Sequence, residues 1–135
     1  MKKAAFNLNG SIAIYCKNEL LMGAVQYRLL NQIVVDGSIN AAAKNLKISY
    51  QHAWHLIDRM NQLSPTPIVI RQKGGRSGGG CSISVSGMRI LNTYAQKEFE
   101  LMGFLERGNT QLNNCLPIES PRKQRETIIA DKESA

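Results

Sequence analysis

Residues 37–63 read GSINAAAKNLKISYQHAWHLIDRMNQL, and the fold turns on them. Gly37 suits the end of one helix. Ser38 suits the start of the next, because its hydroxyl can accept an N–H left unpaired in the first turn. Ile39, Ala42, Ala43 and Leu46 follow at i, i+3, i+4 and i+7, which is one apolar face of a helix. The run Ala41-Ala42-Ala43 lets a second helix approach closely. A second start signal stands at Ser49, after which Ala53, Leu56, Ile57, Met60 and Leu63 repeat the helical spacing. A small-residue helix, a tight turn and a longer helix with polar side chains at its front form a helix-turn-helix layout.

On the N-terminal side, residues 23–36 have a helical pattern with Val25, Leu29, Ile33, Leu30 and Val34 as the apolar stripe. Residues 11–16 are short and β-rich, residues 17–19 suit a turn, and residues 20–22 suit a return strand. Residues 1–8 read as a frayed end. On the C-terminal side, Pro65 and Pro67 stop the second helix. Residues 68–71 then read as a strand, 74–80 as a flexible glycine-rich loop and 81–85 as a second, alternating strand. A hairpin directly after a helix-turn-helix is the wing of a winged helix. Ser86 is the expected N-cap of a last long helix over 87–107. Its Ile90, Leu91, Tyr94, Phe99, Leu101, Met102 and Leu105 offer more apolar surface than one small domain uses. That excess predicts a partner helix, most simply from a second copy of the chain. After Gly108 the composition turns to Asn, Gln, Pro and balanced charges, so 108–135 reads as a linker or disordered tail. The expected fold is mainly α with a small β wing, a winged helix-turn-helix over 9–107 with dimerisation helix 87–107.

The chain has 135 residues, the size of one ordinary domain. No apolar run approaches the roughly 18 residues a membrane span needs. Asn7, Asn9 and Gly10 interrupt the start before a signal-peptide core can form, and a cytoplasmic location is expected. Cys16, Cys81 and Cys115 are far apart and odd in number, which argues against a disulfide framework or a zinc site.

The net charge is +7. Residues 1–107 hold thirteen Lys and Arg against six Asp and Glu, and the remainder sums to zero. Between Asp58 and Glu98 there is no carboxylate, while Arg59, Arg71, Lys73, Arg76, Arg89 and Lys97 all fall there. A basic block without acids suits a polyanion, since each cation near a phosphate releases condensed counterions. A solvated basic face is the plainer alternative.

Two stretches suit nucleic-acid chemistry. The front of the second helix carries Ser49, Tyr50, Gln51, His52, His55 and Arg59. Gln pairs with adenine in bidentate fashion, Arg and His meet guanine, and Ser or Tyr holds phosphate. Gln51, His52, His55 and Arg59 share a side away from Ala53, Ile57 and Met60, so they are expected to face the major groove. In the wing, the glycines bring backbone close to another surface, with Arg71, Lys73 and Arg76 at or near the tip to hold phosphates or reach the minor groove. The loop is no P-loop, because Cys81 follows Gly80 where a lysine is required. His52 and His55 lack a third metal ligand nearby, no nucleophile has an evident base, and Trp54 reads as core between the helices. No catalytic, cofactor-binding or metal-binding residue is expected.

GSINAAAKNLKISYQHAWHLIDRMNQLS, followed by GGRSGGGCSISVSG, resembles the N-terminal DNA-binding domain of the molybdate-responsive ModE regulators. The shared pattern is a GSI-x-x-AAK helix, an ISY-x-x-AW recognition helix, an MNQL helix end and a glycine-rich wing before a long helix. It covers roughly residues 9–107, and a more distant likeness runs to the LysR-type regulators. The resemblance implies a winged-helix repressor or activator that dimerises through its first and last helices and contacts double-stranded DNA with recognition helix and wing. Three departures stand out. Gln51-His52 occupy the place of the family's Lys or Arg, and Lys47 that of a turn glycine. Residues 108–135 are too few for the molybdate-binding domains, so no molybdate or other small-molecule effector is expected to act on this chain. The expected function is sequence-specific transcriptional regulation by a homodimer, not enzymatic catalysis. The alternatives are an adaptor that heterodimerises with a full-length relative and an architectural DNA-binding protein tolerant of sequence.

Overall fold

Lys17 and Asn18 both take left-handed backbone, with φ of 55° and 63°. Positive φ at both central residues is what a tight two-residue hairpin turn requires. It reverses β1 (Ile14–Cys16) into β2 (Glu19–Met22), paired antiparallel with Cys16 opposite Glu19. The computed structural model describes residues 5–72 and 80–118.

Helix α1 (Ala24–Asp36) begins at Gly23, whose N–H donates to Gln26 Oε1 at 2.9 Å. It ends at Gly37, which takes φ 73° and donates its N–H to Ile33 O at 2.7 Å. Leu29, Leu30 and Ile33 are buried, but Val25 and Val34 are 47% and 50% exposed. Those two valines lie roughly a quarter turn to either side of the buried arc, on the shoulders of the helix. The apolar stripe read from the sequence was therefore wider than the face that packs.

Helix α2 (Ile39–Leu46) is capped by Ser38, whose hydroxyl accepts from Ala41 N at 3.0 Å. It ends at Lys47, with φ 61°. Asp36 joins the two helices by accepting from Gln32 Nε2 and Asn45 Nδ2 at 3.0 and 2.9 Å. Helix α3 (Tyr50–Leu63) starts at the Ser49 cap, which accepts from His52 N at 3.0 Å. Ala42, Ala43 and Ala53 are buried, the small-residue contact that the alanine run predicts. Met22, Leu29, Leu30, Ile33, Ile57, Met60 and Ile68 fill the core.

Strands β3 (Val69–Arg71) and β4 (Cys81–Ile83) pair antiparallel in the register Val69 with Ile83 and Arg71 with Cys81. The base of this wing docks on the corner between α1 and α2. Cys81 N donates to Gly37 O at 3.2 Å. A Cβ on Gly80 would lie 2.6 Å from that same carbonyl oxygen, so the approach requires glycine. The molecule is a winged helix-turn-helix, mainly α with a small β wing.

Helix α4 spans Val85–Asn113, and both of its ends differ from expectation. The second wing strand stops at Ile83, and the capping serine is Ser84, not Ser86. Ser84 Oγ accepts from Gly87 N at 2.9 Å and donates to Pro67 O at 2.6 Å, whereas the Ser86 hydroxyl pairs with Thr66 at 2.9 Å. The Ser-Ile-Ser-Val-Ser run offered two cap candidates, and Ser84 reaches back to the proline turn.

The chain divides into two compact units, Ser11–Glu100 and a second formed by Met1–Gly10 with Leu101–Ala135. Within the described residues of the second unit, residues 5–8 and 108–113 differ from expectation. Residues 5–8 do not read as a frayed end in the structure. Phe6 N donates to Asn113 Oδ1 at 2.8 Å, Asn113 Nδ2 donates to Phe6 O at 3.1 Å, and Leu8 N donates to Asn109 Oδ1. Leu8 packs where a side chain on Gly108 would have to go. Asn109 and Asn113, which suggested a linker, are helical and hold backbone, and the regular helix runs on to Asn113. Residues 119–135 lie outside the described residues.

Candidate nucleic-acid interface

The Ser49 cap fixes where α3 begins, and the helical period then decides what faces outward. Tyr50, Gln51, His52, His55 and Arg59 are all exposed, while Ala53, Ile57 and Met60 turn into the core. Among the described residues, the side chains of Gln51, His52 and His55 have no hydrogen-bond partner within the protein. About 13 Å of helix axis separates Tyr50 from Arg59.

Arg59 is placed differently from its neighbours. Its guanidinium pairs with the Glu19 carboxylate on β2 and donates to Gln62 Oε1 at 3.4 Å. Both members of the ion pair are about half exposed, so the pair is open to exchange with another anion. Glu19 was not legible as a neighbour, since forty positions separate it from Arg59. Asp58 was also passed over. It is exposed and stands three and seven positions after His55 and Gln51, on the same side of α3. A carboxylate in a major groove accepts from cytosine N4.

Trp54 packs against the core from its edge instead of lying fully within it. It is half-buried, with the Arg71 guanidinium carbon 4.2 Å from the centroid of its ring. Tyr50 meets the same indole edge-on at 6.3 Å with the planes at 83°. Arg71, the last residue of β3, thus lies against α3 instead of pointing freely from the wing. The wing start is fixed to the other end of α3 by Asn61, whose Oδ1 accepts from Ile68 N at 2.7 Å. Lys73 and Arg76, the other two expected wing contacts, lie outside the described residues.

Among the described residues no group of three or more His, Cys, Asp or Glu is disposed to hold a metal ion, and no helix is long and apolar enough to cross a membrane. Burial pushes the Cys81 thiol above its ordinary pKa, against weaker opposing effects from the Ile39 backbone and Arg71.

No family model matches the chain. Individual relatives do. The chain is 46% identical to the molybdenum transport protein ModE of Azotobacter vinelandii over 86 residues, which are 64% of this chain and 32% of that protein. It is 38% identical to the transcriptional regulator ModE of Haemophilus influenzae over 109 residues, 81% of this chain and 40% of that one. It is 40% identical to the DNA-binding transcriptional dual regulator ModE of Escherichia coli K12 over 80 residues, 55% of this chain and 30% of that one. The domain is of the ModE N-terminal type. The chain spans about a third to two fifths of the length of these curated relatives.

The ModE-type motif can now be read physically. In ISY-x-x-AW, Ser49 caps α3, Ala53 is the small contact beneath it, and Trp54 is the platform for Arg71. In MNQL, Met60 and Leu63 are core and Asn61 ties down the wing. The turn where this ModE-type domain carries Lys47 does adopt the left-handed conformation that glycine favours.

Proposed function

We propose that this protein is a sequence-specific DNA-binding transcriptional regulator of the ModE type. The observation that carries the reading is the row of Gln51, His52 and His55, exposed without partners among the described residues at the capped front of α3. Relatives named as DNA-binding and transcriptional regulators support it. In this reading Gln51, His52 and His55 meet base edges in the major groove. Ser49, Tyr50, Arg71, Lys73 and Arg76 hold phosphates or reach the minor groove, and Arg59 exchanges Glu19 for a phosphate at the far rim. The protein works as a homodimer through α1 and α4, which leave Val25, Val34, Val35 and Phe99 exposed.

Selection of bound duplexes from a random pool at near-physiological salt tests the reading. A two-fold-symmetric site is the expected product, and its half-site spacing reports the dimer geometry. Binding without enrichment would replace the reading with an architectural role, and no binding at all would replace it with the adaptor.

A further inference from the structure

We propose that Trp54 is a positioning residue that fixes Arg71 as a phosphate-contacting group, so that recognition helix and wing engage DNA as one body. This rests on the DNA-binding reading above. Arg71 stands at the end of β3 with its guanidinium over the Trp54 indole at 4.2 Å. Trp gives the strongest cation–π platform of the aromatic side chains. Among the described residues no carboxylate pairs with Arg71, so its charge stays available to an external anion. A guanidinium stacked face-down keeps its N–H donors directed outward around its rim. Tyr50 presses on the same indole, which holds the platform itself in place.

A second rivet works at the other end of β3. Asn61, seven residues after Trp54 on α3, accepts from the N–H groups of Ile68 and Val69 at 2.7 and 3.1 Å. Strand β3 is therefore pinned to α3 at its start by Asn61 and at its end by Trp54. An arginine held in this way has already lost the rotamer freedom it would otherwise lose on binding phosphate. Trp54 acts through Arg71 and touches no base or phosphate itself.

The test uses the full chain and a fluorescein-labelled duplex carrying the selected site, titrated across a range of salt. Arg71→Ala is expected to lower the magnitude of the slope of log K against log salt by about 0.9, the contribution of one phosphate contact. Trp54→Met, which keeps a flexible apolar side chain without a ring, is expected to lower it equally, and Trp54→Phe to retain it. The double variant Trp54→Met with Arg71→Ala is expected to lose no more than either single one. A merely structural role would lower affinity without moving the slope. An unchanged slope in Trp54→Met, or losses that add in the double variant, would overturn the proposal while leaving the DNA-binding reading intact. Failure of the unaltered protein to bind any duplex would overturn both. A second readout does not need Trp54→Met to fold. Trp54 is the only tryptophan, and Arg71→Ala should shift its emission to the red as the ring face opens to water. Unchanged emission would contradict the stack.

Discussion

Asn61 exchanges two hydrogen bonds with Val69: Nδ2 donates to the Val69 carbonyl at 3.0 Å, and Oδ1 accepts the Val69 N–H at 3.1 Å. The amide so behaves as a short piece of β-strand projecting from the last turn of a helix. It satisfies backbone groups of Val69, the first residue of β3, where the chain leaves the proline turn and its register with β4 begins. Asn61→Ala leaves half-buried groups of Ile68 and Val69 unpaired and should cost about 1–3 kcal/mol. Urea denaturation with a reduced midpoint at unchanged slope checks it.

Glu19 neutralises Arg59 on the exposed side of α3. The exposed pair contributes at most about 1 kcal/mol to stability, so Glu19→Gln should fold and melt almost as the parent does. It removes a carboxylate that repels phosphate and frees Arg59 to reach one. Affinity should rise several-fold on all duplexes alike, without a change in site preference. Competition titrations on selected and unrelated duplexes read this directly, and a loss of affinity confined to the selected site would mean that Glu19 instead aims Arg59 at a base.

Lys47 sits at φ 61° with its N–H bonded to Lys44 O at 3.1 Å. A side chain in left-handed backbone costs about 1 kcal/mol, which glycine avoids. Lys47→Gly should raise the thermal midpoint, with a magnitude below that cost because glycine also gives the unfolded chain more freedom.

Burial raises the Cys81 thiol pKa, and burial, then Glu98 and Tyr27, raise that of Tyr94. Each group keeps its proton in the folded protein at a pH where the unfolded chain has lost it. Stability is therefore fully present at neutral pH and falls as pH rises through the ordinary thiol range near about 8.5 and then the phenol range near about 10. Cys81→Ala should flatten the first part of that decline and leave the second. The same burial predicts that a thiol reagent modifies exposed Cys115 well before Cys81.

What was legible in the sequence follows local physics. Ser38 and Ser49 were found as caps because capping is decided within a few residues, and Gly37 as a helix end for the same reason. The wing followed from two short strands flanking glycines. The relationships that organise the site span longer intervals and left no periodic trace: Glu19 with Arg59, Arg71 with Trp54, and Asn61 with Val69. Residues 5–8 and 108–113 were misread for a different reason. Asn109 and Asn113 looked like linker composition, but their amides serve the backbone of residues 6 and 8. Composition cannot distinguish an asparagine facing water from one that replaces a missing strand.

The most direct test of the central claim, that the front of α3 is the DNA-reading face, is amide and side-chain NMR of the labelled protein titrated with the selected duplex. The account predicts the largest shifts at Gln51, His52 and His55, with Arg71 and the Trp54 indole N–H moving alongside them and Val34 and Val35 unmoved. Shifts confined to other surfaces, with Gln51, His52 and His55 silent, would contradict it.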